Sequence, residues 1–153
     1  MFRKMIIGCD NAATGLKDDL AAHLGSMGIP VEDVGCFSPE DPIVYPLIAK
    51  EVCRRIIAGD YQDRGILVCG TGLGMCMCAN KFKGIRAAVC HDIFSTERSI
   101  LSNNGNVMCL GERVIGRELA KKLVTAWVSL EFRDGASTPK VQAITALESA
   151  NMR

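Results

Sequence analysis

The sequence contains no stretch approaching the roughly 20 apolar residues of a membrane span. Its opening run, Met-Phe-Arg-Lys-Met-Ile-Ile-Gly-Cys-Asp, turns polar too soon for a signal-peptide core. The expected location is the cytoplasm. An excess of one charge sign is also missing. Eighteen basic and 17 acidic residues leave a formal net charge of +1, which gives no electrostatic case for binding nucleic acid or an anionic membrane surface. Internal repeats and low-complexity segments are absent. Metal-type C-x-x-C or Cys/His pairing is absent too, although there are eight cysteines. The one close pair, Cys76 and Cys78, is spaced i,i+2, and such residues do not face each other on a helix. With no export signal, a disulfide framework has no oxidising compartment to form in. Most of these cysteines therefore read as small, reduced, buried hydrophobes, and no metal site is expected.

What is present is a chain of 153 residues, 48% of them apolar, enough for one domain over 1–153 with a single core. Short apolar runs alternate with amphipathic stretches. Strands are expected over 5–9, 31–34, 65–69, 85–90 and 107–110, and helices over about 15–27, 46–58, 74–81, 94–101, 116–128 and 139–150. This alternation predicts an α/β fold, a three-layer Rossmann-like sandwich around a five-stranded parallel sheet. The last helix has little core left to join and is expected to extend to a partner subunit. In such sheets ligands bind outside the carboxyl ends of the strands. That rule selects Asp10, Asn11, Cys69 to Gly74, His91, Asp92 and Gly111 to Arg113.

The most informative segment is Gly65-Ile-Leu-Val-Cys69-Gly70-Thr71-Gly72-Leu73-Gly74-Met75. A buried strand ends at a cysteine, and three glycines in five residues then open a helix. Glycine allows positive φ and close backbone approach, and the free N–H groups of a helix start attract anions. The simplest reading is a tight strand-to-helix turn. A dinucleotide loop is the wrong motif: the spacing is not G-x-G-x-x-G, the loop follows the third strand, and no Walker G-K-[ST] is present. A nicotinamide-dependent oxidoreductase is therefore disfavoured. The chemical reading is that the loop amides favour the thiolate of Cys69, a base for a weakly acidic C–H. The same amides would then hold the oxyanion of a developing enediolate.

The string Cys-Gly-Thr-Gly-x-Gly-Met, with Ala79-Asn80-Lys81 and Gly84-Ile85-Arg86-Ala87-Ala88, closely resembles ribose-5-phosphate isomerase B and the related galactose-6-phosphate isomerase subunits. Gly8-x-Asp10, Tyr45-Pro46, His91-Asp92 and Asn103-Asn104-x-Asn106-Val107 extend the resemblance over roughly residues 4–145. The resemblance implies a metal-free aldose–ketose isomerase that needs no cofactor and works through a cis-enediolate. It also implies a homodimer or tetramer in which each site is completed by the partner. By position, Cys69 matches the family's base. Thr71 and the amides of Gly70, Gly72 and Gly74 match the enediolate-stabilising loop. Asp10 matches a carboxylate that binds sugar hydroxyls and moves a proton between O1 and O2. Tyr45 matches a residue lining the pocket, Asn103 one that holds a sugar hydroxyl, and Arg113 a phosphate ligand.

The chain departs from the family in three places. Asn11 stands where a phosphate-binding histidine is common, and Ser102 where a ring-opening histidine is common. The late Gly-Gly-Arg-His-Ala-Arg-Arg stretch is replaced by Asp134-Gly-Ala-Ser-Thr-Pro-Lys140, in which Lys140 is the one positive charge kept. A tetrose 4-phosphate cannot close a furanose ring, because its O4 carries the phosphate, so its enzyme needs no ring-opening histidine. The substrate is therefore expected to be a ribose 5-phosphate/ribulose 5-phosphate type of sugar or, from Ser102, erythrose 4-phosphate/erythrulose 4-phosphate. Arg98, one turn before Ser102, is a candidate replacement phosphate ligand; otherwise it is part of a solvated helix face. His91 either orients the neighbouring loop or touches substrate. The lost histidines and arginines leave open an alternative, a non-catalytic subunit or sugar-phosphate sensor. Retention of the Cys69 loop argues against it.

Overall fold

The computed structural model describes residues 2–152. Five strands are flanked by six helices. In chain order these are β1 (Met5–Cys9), α1 (Thr14–Ser26), β2 (Val31–Asp33), α2 (Tyr45–Ala58), β3 (Arg64–Cys69), α3 (Leu73–Ala79), β4 (Ala87–Val89), α4 (Ile93–Leu101), β5 (Val107–Gly111), α5 (Arg117–Val128) and α6 (Thr138–Asn151). All strand pairs are parallel, in the order β2-β1-β3-β5-β4. This is the expected three-layer α/β sandwich.

The central strands are apolar on both faces because both are covered. Side chains alternate across the sheet. Met5, Ile7 and Cys9 of β1, Ile66 and Val68 of β3, and Met108 and Leu110 of β5 point to one side. There they pack against Leu16, Leu20 and Leu24 of α1 and Leu123, Val124 and Trp127 of α5. Ile6, Leu67, Cys69, Val107 and Cys109 point to the other side, against Ile48, Val52 and Ile56 of α2 and Met75 and Ala79 of α3. Cys69 thus belongs to the α2/α3 side. The strand order reverses direction between β1 and β3, and loops leaving the sheet there diverge to opposite faces. That divergence opens a crevice at the carboxyl edge.

β4 is shorter than the expected 85–90. Ile85 turns back onto Phe82 through its N–H, and the Arg86 N–H donates to Oδ1 of Asn106 instead of a strand neighbour. The outer edge of β4 is covered by a side chain. Asn80 Oδ1 accepts from Ala87 N–H, and Asn80 Nδ2 donates to Ala87 O, both at 2.9 Å. α6 has little apolar surface to bury, as expected: Val141 is its one buried residue, while Ile144 and Leu147 are exposed. Glu148 ties it to the body by accepting from the Gly84 N–H at 2.8 Å. Among the described residues, no helix is long and apolar enough to cross a membrane.

Candidate active site

The sheet register builds the site. Cys9 lies opposite Val68, Cys69 opposite Gly111, and Val89 opposite Cys109. Two ladder bonds continue past the strand ends: Asp10 N–H donates to Val68 O at 3.1 Å, and Cys90 N–H to Cys109 O at 3.1 Å. Four residues therefore stand in a row along the carboxyl edge: Asp10, Cys69, Gly111 and His91.

Beyond Cys69 the chain folds back over its own sulfur. Gly72 N–H donates to Cys69 Sγ at 3.1 Å. Gly72 takes φ +78°, and a Cβ there would meet the Leu110 backbone at 3.0–3.2 Å. Positive φ and this close approach together require glycine. Thr71 is exposed, and its Oγ1 accepts from Leu73 N–H at 3.4 Å at the start of α3. The Tyr45 ring lies on Gly74, where an added Cβ would come within 2.9 Å of the ring atoms. The Arg113 side chain runs over Gly70, and its own N–H donates to Gly70 O at 3.0 Å. Glu112 N–H donates to Cys69 O at 2.9 Å. The turn after β5 is thereby fastened to the glycine loop.

Burial raises the pKa of Asp10, and the Ala12 N–H and the nearby Arg113 charge partly offset that rise. Asn11 is exposed on the same turn. His91 Nε2 accepts from Gly111 N–H at 2.9 Å, so a neutral ring carries its proton on Nδ1. Burial lowers the His91 pKa, against the opposing pull of Asp92. The Asp92 carboxylate caps α4 by accepting from Ser95 N–H at 2.7 Å. Sequence reasoning left His91 between two roles; its bond to Gly111 is a tertiary pairing that no local motif announces.

All eight cysteines are free, and six of them are buried. Burial pushes Cys9 and Cys53 up to about 12 and Cys90 to about 11. Cys76 behaves differently: a hydrogen bond from Cys109 brings it down to about 7. Cys76 is only partly buried, on the helix directly after the loop. Among the described residues, no group of three or more His, Cys, Asp or Glu side chains is arranged to hold a metal ion.

The remaining candidates lie elsewhere. α4 runs from the carboxyl edge back toward the amino edge, so Arg98, Ser102 and Asn103 stand at the end of the sheet opposite Cys69. Arg98, the candidate replacement phosphate ligand, therefore stands away from the Cys69 loop of its own chain. Arg98 Nη1 donates to Ser102 Oγ at 3.4 Å, and Asn103 Nδ2 donates to Arg98 O at 2.9 Å. Arg98 Nε is buried and has no hydrogen-bond partner among the described residues. Asn103 lines a cavity of about 490 Å³ between β4 and α6, together with Arg86 and Leu147. Lys140 is exposed in the first turn of α6.

A family model described as Ribose/Galactose Isomerase matches residues 5–144. D-erythrulose-4-phosphate isomerase 2 of Mycolicibacterium smegmatis is 46% identical over 98% of this chain and 100% of that protein. Ribose-5-phosphate isomerase B of Escherichia coli is 42% identical over 95% of this chain and 97% of its own length. The structure of ribose-5-phosphate isomerase B from Clostridium thermocellum superposes with a TM-score of 0.91 at 37% identity, covering 96% of this chain and 98% of that one.

Proposed function

The chain belongs to the ribose/galactose isomerase family, and on that premise we propose that it interconverts erythrose 4-phosphate and erythrulose 4-phosphate with Cys69 as the base. It is an aldose–ketose isomerase of phosphorylated sugars. The observation that carries the mechanism is the Gly72 N–H aimed at Cys69 Sγ, in register with Asp10 at the reversal of the sheet. The Cys69 thiolate removes the proton from C2 of the aldose. Charge moves onto O1 of a cis-enediolate, where the amides of the Gly70–Gly74 loop and Thr71 stabilise it. Asp10 carries a proton from O2 to O1, and the Cys69 thiol returns its proton to C1. Tyr45 closes the pocket beside Gly74, Asn11 adds a polar contact, and Arg113 binds the phosphate.

Ser102 supports the tetrose reading, because it offers no group to open a sugar ring. The full-length match to a relative named for erythrulose 4-phosphate supports it independently. Arg98, Ser102 and Asn103 sit at the edge away from Cys69, which supports a homodimer in which these residues reach the partner's site. There the Arg98 guanidinium and, from the tail, Lys140 take over the phosphate contacts of the missing arginines. Eight free thiols favour a reducing, cytoplasmic setting.

The test is to assay both directions on erythrose and ribose phosphates and to follow deuterium incorporation from solvent at C2. The tetrose should be turned over faster, and Cys69→Ala should lose at least about 10³ in kcat with no exchange. Faster turnover of ribose 5-phosphate removes the substrate reading, and exchange by Cys69→Ala removes the base.

A further inference from the structure

His91 is not needed for the proton transfers above, yet it stands in the same row as Asp10 and Cys69. Its Nε2 meets the Gly111 N–H at 2.9 Å. Gly111 ends β5 and lies flat against the glycine loop. A Cβ on Gly111 would come within 2.7–2.8 Å of Thr71 Cα, C and O. The two residues after Gly111 are fixed to that loop as well, Glu112 N–H to Cys69 O and Arg113 N–H to Gly70 O. The backbone of β5's end is therefore the wall on which Cys69, Gly70 and Thr71 rest. At the end of β5 the parallel ladder has run out, because β4 stops at Val89 and the last bond across is Cys90 to Cys109. Without His91, the Gly111 N–H would have no strand to donate to. The ring itself is held on the short link between β4 and α4, next to Asp92, which caps α4 through Ser95 and accepts on its backbone from Thr96 Oγ1.

We propose that His91 is a positioning residue for the isomerisation: its Nε2 holds the Gly111 amide, and through Gly111 sets the backbone against which the Cys69–Thr71 loop and the base of Arg113 are aligned. This rests on the reading of the Cys69 loop as catalytic. The requirement is for an acceptor at one point in space. A glutamine carries a carboxamide oxygen to about the reach of Nε2, whereas asparagine stops one bond short.

In the purified full chain, His91→Asn should lower kcat about 10- to 100-fold, the cost of a displaced loop, while KM stays within about twofold. His91→Gln should recover kcat to within about threefold of the unsubstituted chain. Hydrogen exchange at the Gly111 amide, followed without substrate, should be fast in His91→Asn and slow in His91→Gln. The assignment is overturned if His91→Asn keeps full kcat, if His91→Gln falls as far as His91→Asn, or if Gly111 exchanges alike in both. A Cys69→Ala chain that keeps turnover overturns the reading of the loop and the role of His91 together. A dead Cys69→Ala beside a fully active His91→Asn overturns the His91 assignment alone.

Discussion

At the scale of single residues, two titrating groups near the loop make separate forecasts. Asp10 is raised above its ordinary value by burial, and the positive charge of Arg113 works against the rise. If its carboxylate must accept a proton, activity falls as pH drops through that raised pKa, at a higher pH than an ordinary aspartate would set. Removing the Arg113 charge removes a lowering influence. The acid limb of the pH–rate profile in Arg113→Ala should therefore move to higher pH, together with a higher KM from the lost phosphate contact; an unmoved limb would separate Asp10 from the reaction. Cys76, brought to about 7 by the hydrogen bond from Cys109, should be alkylated by iodoacetamide at neutral pH well ahead of Cys9, Cys53 and Cys90. Peptide mass mapping of a time course reads this directly. The same substitution map for Cys109→Ala should show Cys76 slowed, since its donor is gone.

Among the secondary-structure elements, the loop between β3 and α3 is the one whose geometry the proposed chemistry depends on. Gly72→Ala places a side chain at φ +78° and against the Leu110 backbone. The conformation alone costs about 1–2 kcal/mol. The relief available, shifting the Gly72 amide off Cys69 Sγ, should reduce kcat by about 10²-fold while most of the folding stability survives. Urea unfolding beside steady-state kinetics distinguishes this from general destabilisation. The elements themselves were legible in the sequence because strands buried on both faces read as unbroken apolar runs, as in Ile66-Leu67-Val68 and Val107-Met108-Cys109-Leu110. The shorter β4 was not legible. Its start is set by a side chain 20 residues away, Asn106, which takes the Arg86 N–H that a longer strand would have used. Asp10, Cys69 and the Gly70–Gly74 turn were readable from strand ends and glycine spacing. His91 was placed at the right edge, but its partner became visible only with the register of β5.

On the scale of the whole molecule, the two groups of candidate residues lie at opposite ends of one sheet. The linear pattern could not reveal this, since a motif match carries no direction until the helix that holds it is placed. α4 carries Arg98, Ser102 and Asn103 away from its own Cys69, so on the proposed reading one chain holds two half-sites. If the halves combine across a dimer, inactive Cys69→Ala and inactive Arg98→Ala chains should complement each other. Random reassociation makes about half the dimers mixed, each with one intact site, so about a quarter of full activity should return. No recovery after mixing and refolding would place both halves in the same chain's reaction or remove Arg98 from it.

Asn80 has a consequence for how copies of the chain meet. A parallel sheet that ends in an open strand offers its bare amides and carbonyls to any neighbour of similar shape. Here the carboxamide of Asn80 already occupies both hydrogen-bonding groups of Ala87, the first residue of the edge strand β4. A second molecule arriving at that border finds the Ala87 groups taken, which opposes sheet extension through β4. Replacing Asn80 with leucine would leave that border raw, and sticking between molecules in concentrated solution is the cost to be expected.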